Sequence, residues 1–141
     1  GDWISEVADP IPVLAMARLI GLPLVDLPQL LGWAFSGGAI LAGTTTLDQL
    51  LELSASTAAM NTYLHEHLSG ALVENPEPIA APHDITGELI NGIRSGLISE
   101  REAVSILVVL VGAAGESTSS LTGSAVRVLA EDMLLQQQLR L

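Results

Sequence analysis

Residues 99–131 read SEREAVSILVVLVGAAGESTSSLTGSAVRVLAE, and this stretch decides the fold. Its first four residues, Ser99-Glu-Arg-Glu102, form a capping-box pattern, in which the serine hydroxyl accepts a hydrogen bond from the third helical amide and the glutamate reaches back to the serine amide. Apolar residues then recur at helical spacing. The stretch therefore predicts one long central helix over Ser99–Glu131, about 50 Å long at ~1.5 Å per residue.

The middle of this helix is rich in Gly, Ala, Ser and Thr around a single carboxylate, Glu116. Glycine costs a helix about 1 kcal/mol relative to alanine, and Ser and Thr compete for backbone hydrogen bonds. Two interpretations stay open. Gly115, Ser119 and Gly123 recur every four residues, which is typical of a helix–helix packing seam. The second interpretation is a functional irregularity of the helix around Glu116, because a carboxylate between apolar turns is costly to bury without partners. The nearest candidate partners are hydroxyls: Ser117, Thr118 and Ser120.

Two shorter helices are predicted near the N-terminus. Asp9 followed by Pro10 indicates a helix start, with a capping side chain and Pro in the first turn. Gly21 ends that helix. Asp26 and Pro28 then start a second helix in the same manner.

Helices are also predicted on either side of a Pro-rich loop. A second capping box, Thr46–Gln49, opens a helix that runs to about Glu74. Residues 75–83 contain three prolines and form a loop. Asp84 caps a short helix, and Asp132 caps a last one beyond the central helix. Strand signals are nearly absent, so the sequence predicts an all-α fold.

Length and charge limit the possible functions. The chain has 141 residues, which fits one helical unit over residues 1–141. Five Arg and no Lys stand against 16 acidic residues, for a net charge of −11. Nucleic acids and anionic membrane surfaces are therefore disfavoured partners, because both need clustered cations. Hydrophobic residues make up 49% of the chain and charged residues 15%. This composition indicates that some apolar surface normally meets other protein or a ligand.

Neither a leader nor a membrane span is predicted. The N-terminal residues are acidic and lack the basic start of a signal peptide. The longest apolar run is about ten residues, whereas a membrane span needs about 20. The chain has no cysteine, which excludes disulfides, zinc–thiolate sites and thiolate-ligated haem within these residues. We therefore expect a cytoplasmic protein.

Four motifs in register resemble one enzyme family. Residues 113–118 (AAGEST) resemble the Ala-Gly-x-Glu/Asp-Thr-Thr signature in the long central helix of the cytochrome P-450 monooxygenases. Residues 2–23 resemble the bacterial Ala-x-Pro-x-Pro pattern that leads to a Leu-Ile-Gly-x-Pro helix end. Residues 97–102 resemble the start of the family's central helix, and residues 121–126 its continuation. By this resemblance the chain is the helical middle portion of a bacterial-type cytochrome P-450 fold, covering its E to I/J helix region.

The resemblance implies a function and roles for particular residues. It implies a haem monooxygenase that inserts one oxygen atom of O₂ into an apolar small molecule, with electrons from a ferredoxin or reductase. Glu116 and Ser117 would be the acid–alcohol pair that delivers protons during dioxygen activation. Ala113, Ala114 and Ser117 would face the haem, and no residue would bind a separate metal ion. The substrate would meet Leu110, Phe35, Ile40 and Leu41.

The sequence also departs from the family pattern. The family's haem-ligating Cys loop and its Glu-x-x-Arg helix are both absent, so these residues are expected to be an internal fragment that is inactive alone. Within the signature, Ala114 replaces the usual Gly. Ser117 replaces the usual Thr, which keeps the hydroxyl but loses the methyl group that restricts the rotamer.

Two other interpretations have less support. His65-Glu66-His67 invites a metal site, but residues i and i+2 do not share a helix face, so a solvated face is expected. The rival to the monooxygenase is a helical ligand-binding or dimerisation domain of a regulatory protein, in which the small-residue stripe is a seam between helices. A flanking Cys loop would favour the monooxygenase, and a flanking helix-turn-helix the rival.

Overall fold

A computed structural model describes residues 1–36 and 45–140. Within these ranges the ordered elements are helical and no strand occurs, which confirms the all-α prediction. A π-helical turn covers Ile4–Ala8 and a 3₁₀ turn covers Leu24–Asp26. The α-helices, numbered in chain order, are α1 (Pro10–Ile20), α2 (Leu27–Ala34), α3 (Leu47–Glu74), α4 (Ile85–Arg94), α5 (Glu100–Ala113), α6 (Glu116–Glu131) and α7 (Met133–Gln138).

The predicted capping boxes form and set the starts of α3 and α5. The Thr46 hydroxyl accepts from the Gln49 amide at 3.4 Å, while the Thr46 amide donates to Gln49 Oε1 at 2.8 Å. Ser99 and Glu102 make the same reciprocal pair, at 3.3 and 2.8 Å. Hydrogen bonds from Ser99 lower the pKa of the Glu102 carboxyl. Local hydrogen bonding over three residues therefore fixes both helix starts.

Two other predicted caps are wrong, although the helices begin where expected. Asp9 has helical dihedrals (φ −76°, ψ −47°) because the π-helical turn continues directly into α1, and its side chain caps nothing. Its carboxylate accepts a hydrogen bond from the Ser119 hydroxyl instead. Asp26 likewise leaves α2 uncapped and accepts from the Tyr63 hydroxyl at 2.7 Å. Both carboxylates join elements that lie far apart in the sequence.

The central helix keeps its predicted bounds but is interrupted. Ser99 caps its start and it ends at Glu131, with a break at residues 114–115 that separates α5 from α6. By length and composition alone, Glu100–Glu131 is also apolar enough to cross a membrane, a property that core helices share.

The core lies where α1, α2, α3, α4 and α5 meet. Its largest fully buried side chains are Ile20, Leu30, Leu64, Leu68, Ile90, Leu107, Val13 and Val111. The buried positions of α3 begin only at Met60, so the first half of that helix extends away from the core. Leu107 and Val111 anchor the first half of the central helix in this core, and burying such a side chain fully contributes about 1.5–3 kcal/mol.

Candidate functional site

The interruption of the central helix is a gap in its hydrogen bonding. The Ala114 amide donates to the Val111 carbonyl at 3.3 Å, three residues back, in the 3₁₀ manner. Regular four-residue bonding resumes when the Ser119 amide donates to the Gly115 carbonyl at 3.0 Å. Glu116 is the first residue of α6 and therefore sits at a helix N-terminus inside the predicted central helix. The small-residue patch thus contains a real backbone irregularity.

The stripe of small residues is a packing seam within the chain. A Cβ at Gly115 would lie 3.0 Å from two ring atoms of Phe35 and 3.1 Å from the Ala34 carbonyl oxygen. Eight residues on, a Cβ at Gly123 would lie 2.6 Å from Ile4 Cδ1. Ser119, between the two glycines, is buried. The seam interpretation and the irregularity therefore both hold, on neighbouring faces of one helix.

Glu116 faces a cavity beside this seam. The side chain is half-buried, and among the described residues its carboxylate makes no hydrogen bond or ion pair. The expected partners Ser117 and Thr118 are exposed and do not bond to it. The cavity measures about 470 Å³ and is lined by Ile4, Phe35, Glu116, Ser119, Ser120, Gly123, Ser124 and Arg127. It therefore pairs a carboxylate with an aromatic ring, several hydroxyls and a guanidinium.

The other predicted site residues fall into four groups. Phe35 lines the cavity with Glu116, so these two are brought together. Leu110 and Ala114 are half-buried and pack against the core. Ala113 and Ser117 are exposed. Ile40 and Leu41, predicted to meet substrate, lie outside the described residues.

Sequence reasoning did not predict that Ser119 and Arg127 line this cavity, or that Asp9 contacts Ser119. Asp9 was predicted only as a cap and Ser119 only as part of a seam. The two meet although 110 residues separate them, and no local pattern signals such a contact. Arg127 lies three turns beyond Glu116 on α6. This helical spacing, which places both residues on one face, was the one sequence signal that Arg127 lies near the cavity.

The histidines form no metal site in the described part of the chain. His65 is exposed and lies 3.5 Å from Glu100. The expectation of a solvated face is wrong for His67, which is half-buried and bonds to Thr86 Oγ1 at 3.1 Å. Thr86 in turn donates to the Ile20 carbonyl at 2.7 Å, so His67 donates to Thr86. Desolvation lowers the pKa of His67, against the attraction of Asp84 and Glu74.

Comparison with known proteins identifies the family that this arrangement resembles. Cytochrome P-450 144 of Mycobacterium tuberculosis is 34% identical over 140 residues, which cover 99% of this chain and 31% of that protein. Cytochrome P-450 109 of Bacillus spizizenii is 26% identical over 142 residues, covering 99% of this chain and 34% of that protein. The chain is similar to cytochromes P-450 along its whole length. The resemblance predicted from the motifs is thereby confirmed.

A further sequence relative and two solved structures agree with the similarity to cytochromes P-450. The methyl-branched lipid omega-hydroxylase of Mycobacterium bovis is 28% identical over 129 residues, 83% of this chain and 26% of that protein. The putative thioether synthase SgvP superposes with a TM-score of 0.80 at 24% identity, over 99% of this chain and 33% of its own. CalO2 gives 0.76 at 25% identity, over 92% and 31%. No family model matches the chain. It spans about a third of the length of the curated relatives that it matches.

Proposed function

We propose that this chain is the helical middle part of a haem monooxygenase, which inserts one oxygen atom of O₂ into an apolar organic substrate. One observation carries the proposal. The chain matches cytochromes P-450 over 99% of its length, and Glu116, whose carboxylate has no partner among the described residues, stands at an interruption of the central helix, beside a cavity.

The surface beside the break suits a flat cofactor such as haem. Gly112, Ala113 and Ser117 are exposed, and a Cβ at Gly112 would meet nothing within 4 Å. These small side chains would form one wall of the haem site, with Ala114 behind them. Haem, when bound, supplies the activation of dioxygen. Cytochromes P-450 ligate the haem iron through a cysteine thiolate, and the sequence has no Cys. We therefore infer that the ligand comes from another part of a larger protein, and that this chain is inactive alone.

Glu116 and Ser117 would move protons at this wall. A half-buried carboxylate to which no described residue is hydrogen-bonded can hold a proton and release it towards the cavity. The adjacent Ser117 hydroxyl can both accept and donate, so it can pass that proton on. Because Ser lacks the methyl of the family's usual Thr, its hydroxyl rotates more freely. Ser in place of Thr at position 117 should thus make the proton relay less rigid without removing its hydroxyl.

Substrate, electron donor and location follow from the same proposal. Phe35 lines the Glu116 cavity, which supports its contact with an apolar small molecule. We propose the same role for Leu110, Ile40 and Leu41. A ferredoxin or reductase would supply electrons in the cytoplasm. The small-residue stripe packs within the chain. It therefore gives no support to the alternative, a dimerisation or ligand-binding domain of a regulator.

Turnover and peroxide release by the larger protein test the roles of Glu116 and Ser117. Glu116→Ala should slow turnover by about 10²–10⁴-fold, the usual contribution of a positioned proton donor. Ser117→Ala should raise hydrogen peroxide formed per product. Both should leave substrate affinity within about 1 kcal/mol, since neither group is assigned to the substrate.

Matched controls separate this role from general damage. Glu131→Ala removes an exposed carboxylate at the far end of α6, and Ser105→Ala removes an exposed hydroxyl on α5. Both controls should retain full, coupled turnover. If Glu116→Ala and Ser117→Ala also retain it, the acid–alcohol assignment is wrong and the patch is a packing seam only.

A further inference from the structure

Asp9 joins the N-terminal segment to the central helix. It lies between the π-helical turn Ile4–Ala8 and α1, at a position where an aspartate normally caps the following helix. Its carboxylate is used otherwise, as the acceptor of the Ser119 hydroxyl. Asp9 is half-buried and Ser119 is only 5% exposed. A buried hydroxyl and a partly buried carboxylate both need partners, so each satisfies the other.

Ser119 lies one helical turn after Glu116, on the first turn of α6. Its amide makes the first regular bond after the break, to the Gly115 carbonyl at 3.0 Å. Its side chain lines the same cavity as Glu116. The Asp9–Ser119 hydrogen bond therefore acts at the point where α-helical bonding resumes. An aspartate near the start of α6 also suits the positive end of the helix dipole.

Apolar contacts alone would not fix the rotation of α6 relative to the N-terminal segment. On either side of Ser119 the seam consists of glycines against the Phe35 ring and the tip of Ile4. Such van der Waals contacts hold two elements close together but allow one to shift along the other, because dispersion attraction has little directionality. A hydrogen bond between a serine and a carboxylate has defined distance and angle. It selects one rotation of α6 and hence one direction for the Glu116 side chain.

We infer that Asp9 is a positioning residue: by accepting the Ser119 hydroxyl, it fixes the start of α6 and directs Glu116 into the cavity that it shares with Phe35. The catalytic importance of this contact rests on the proposed function. The structural role of Asp9 does not, because it concerns only where α6 begins.

Amide hydrogen exchange of this chain tests the structural role directly. Asp9→Ala and Ser119→Ala should each speed exchange of the amides of residues 119–122 by about 10- to 100-fold, the range expected for a hydrogen bond to a charged group. The double variant should exchange no faster than the single variants, because both remove one bond. Asp9→Asn keeps an acceptor oxygen and should restore most of the protection. Glu131→Ala, which removes an exposed carboxylate at the far end of the same helix, is the control and should leave exchange at residues 119–122 unchanged.

Three results would overturn the inference. One is unchanged exchange at residues 119–122 in both single variants. Another is faster exchange confined to the first turn of α1 in Asp9→Ala, which would make Asp9 an ordinary cap. The third is additive effects in the double variant. If Asp9→Ala does not fold, Ser119→Ala removes the same hydrogen bond from the other side and tests the inference alone.

Turnover in the larger protein separates this inference from the proposed function. Asp9→Ala should slow turnover at unchanged substrate affinity, and Asp9→Asn should recover it. If Glu116→Ala leaves turnover intact while Asp9→Ala still loosens α6, the proposed function fails and the positioning of α6 stands. If Glu116→Ala slows turnover and Asp9→Ala affects neither exchange nor turnover, the proposed function stands and this inference fails.

Discussion

Gly112 and Gly115 lie three residues apart on the central helix in opposite surroundings, so the same change to alanine should have opposite effects. A Cβ at Gly112 would meet nothing within 4 Å. Gly112→Ala should therefore stabilise the chain by about 0.5–1 kcal/mol, through helix propensity and reduced freedom of the unfolded chain. A Cβ at Gly115 would lie 3.0 Å from the Phe35 ring and 3.1 Å from the Ala34 carbonyl oxygen.

The expected loss at Gly115 follows from these distances. Carbon atoms prefer separations of about 3.5–4.0 Å, so the ring and the carbonyl must both retreat by about 0.5 Å. The Phe35 ring can turn, but the Ala34 carbonyl is backbone at the end of α2. Overpacking costs about 1–3 kcal/mol, and the propensity gain offsets up to about 1 kcal/mol. Gly115→Ala should thus destabilise the chain by about 1–2 kcal/mol.

Urea unfolding followed by far-ultraviolet circular dichroism measures this difference. The free energies of unfolding of the two variants should differ by about 1.5–3 kcal/mol, at an unchanged dependence on denaturant. Phe35→Leu, combined with Gly115→Ala, should recover part of the loss because it removes the ring that the new methyl meets. Gly123→Ala is the intermediate case, since the tip of the exposed Ile4 side chain can move aside. A Gly115→Ala variant as stable as Gly112→Ala would refute the close packing of Gly115 against Phe35 and the Ala34 carbonyl.

Three further predictions concern other sites. Because desolvation lowers the pKa of His67, the unfolded chain binds more protons than the folded one near pH 6; stability should fall as the pH drops below about 6.5, and His67→Gln should flatten that profile in pH-dependent urea unfolding. Tyr63→Phe removes the 2.7 Å bond to Asp26 but keeps the ring beside Trp33, at 5.3 Å between centroids, so thermal or urea unfolding should show a loss of about 1–2 kcal/mol. Haem titrated into this chain alone should give no thiolate-ligated spectrum, because the sequence has no cysteine.

Local signals in the sequence predicted the helix starts better than they predicted side-chain partners. The Thr46 and Ser99 capping boxes involve residues three apart, so their spacing carries the whole interaction. Asp9 and Asp26 show the same local pattern of an acid near a Pro, yet both carboxylates bind hydroxyls 110 and 37 residues away. A cap and a tertiary contact look alike until the fold brings the distant partner into place.

The candidate site was predictable in part for the same reason. Clustered small residues predicted an irregular helix around Glu116, because propensity is a local property. The partner of the stripe was not predictable. Gly115 packs against Phe35, and Gly123 against Ile4, across separations of 80 residues or more that sequence periodicity does not encode. The seam and an acid site at Glu116 therefore looked like competing interpretations, whereas the seam and the Glu116 side chain occupy neighbouring faces of α6.

The carbon monoxide spectrum of the reduced, haem-loaded larger protein tests most directly whether this chain is part of a cytochrome P-450. We expect the long-wavelength Soret band of thiolate-ligated haem from the protein that carries this segment, and no such band from residues 1–141 alone. A larger protein that binds no haem, or that shows only the shorter-wavelength band of histidine-ligated haem, would contradict the assignment. A thiolate band from this cysteine-free chain alone would contradict it equally.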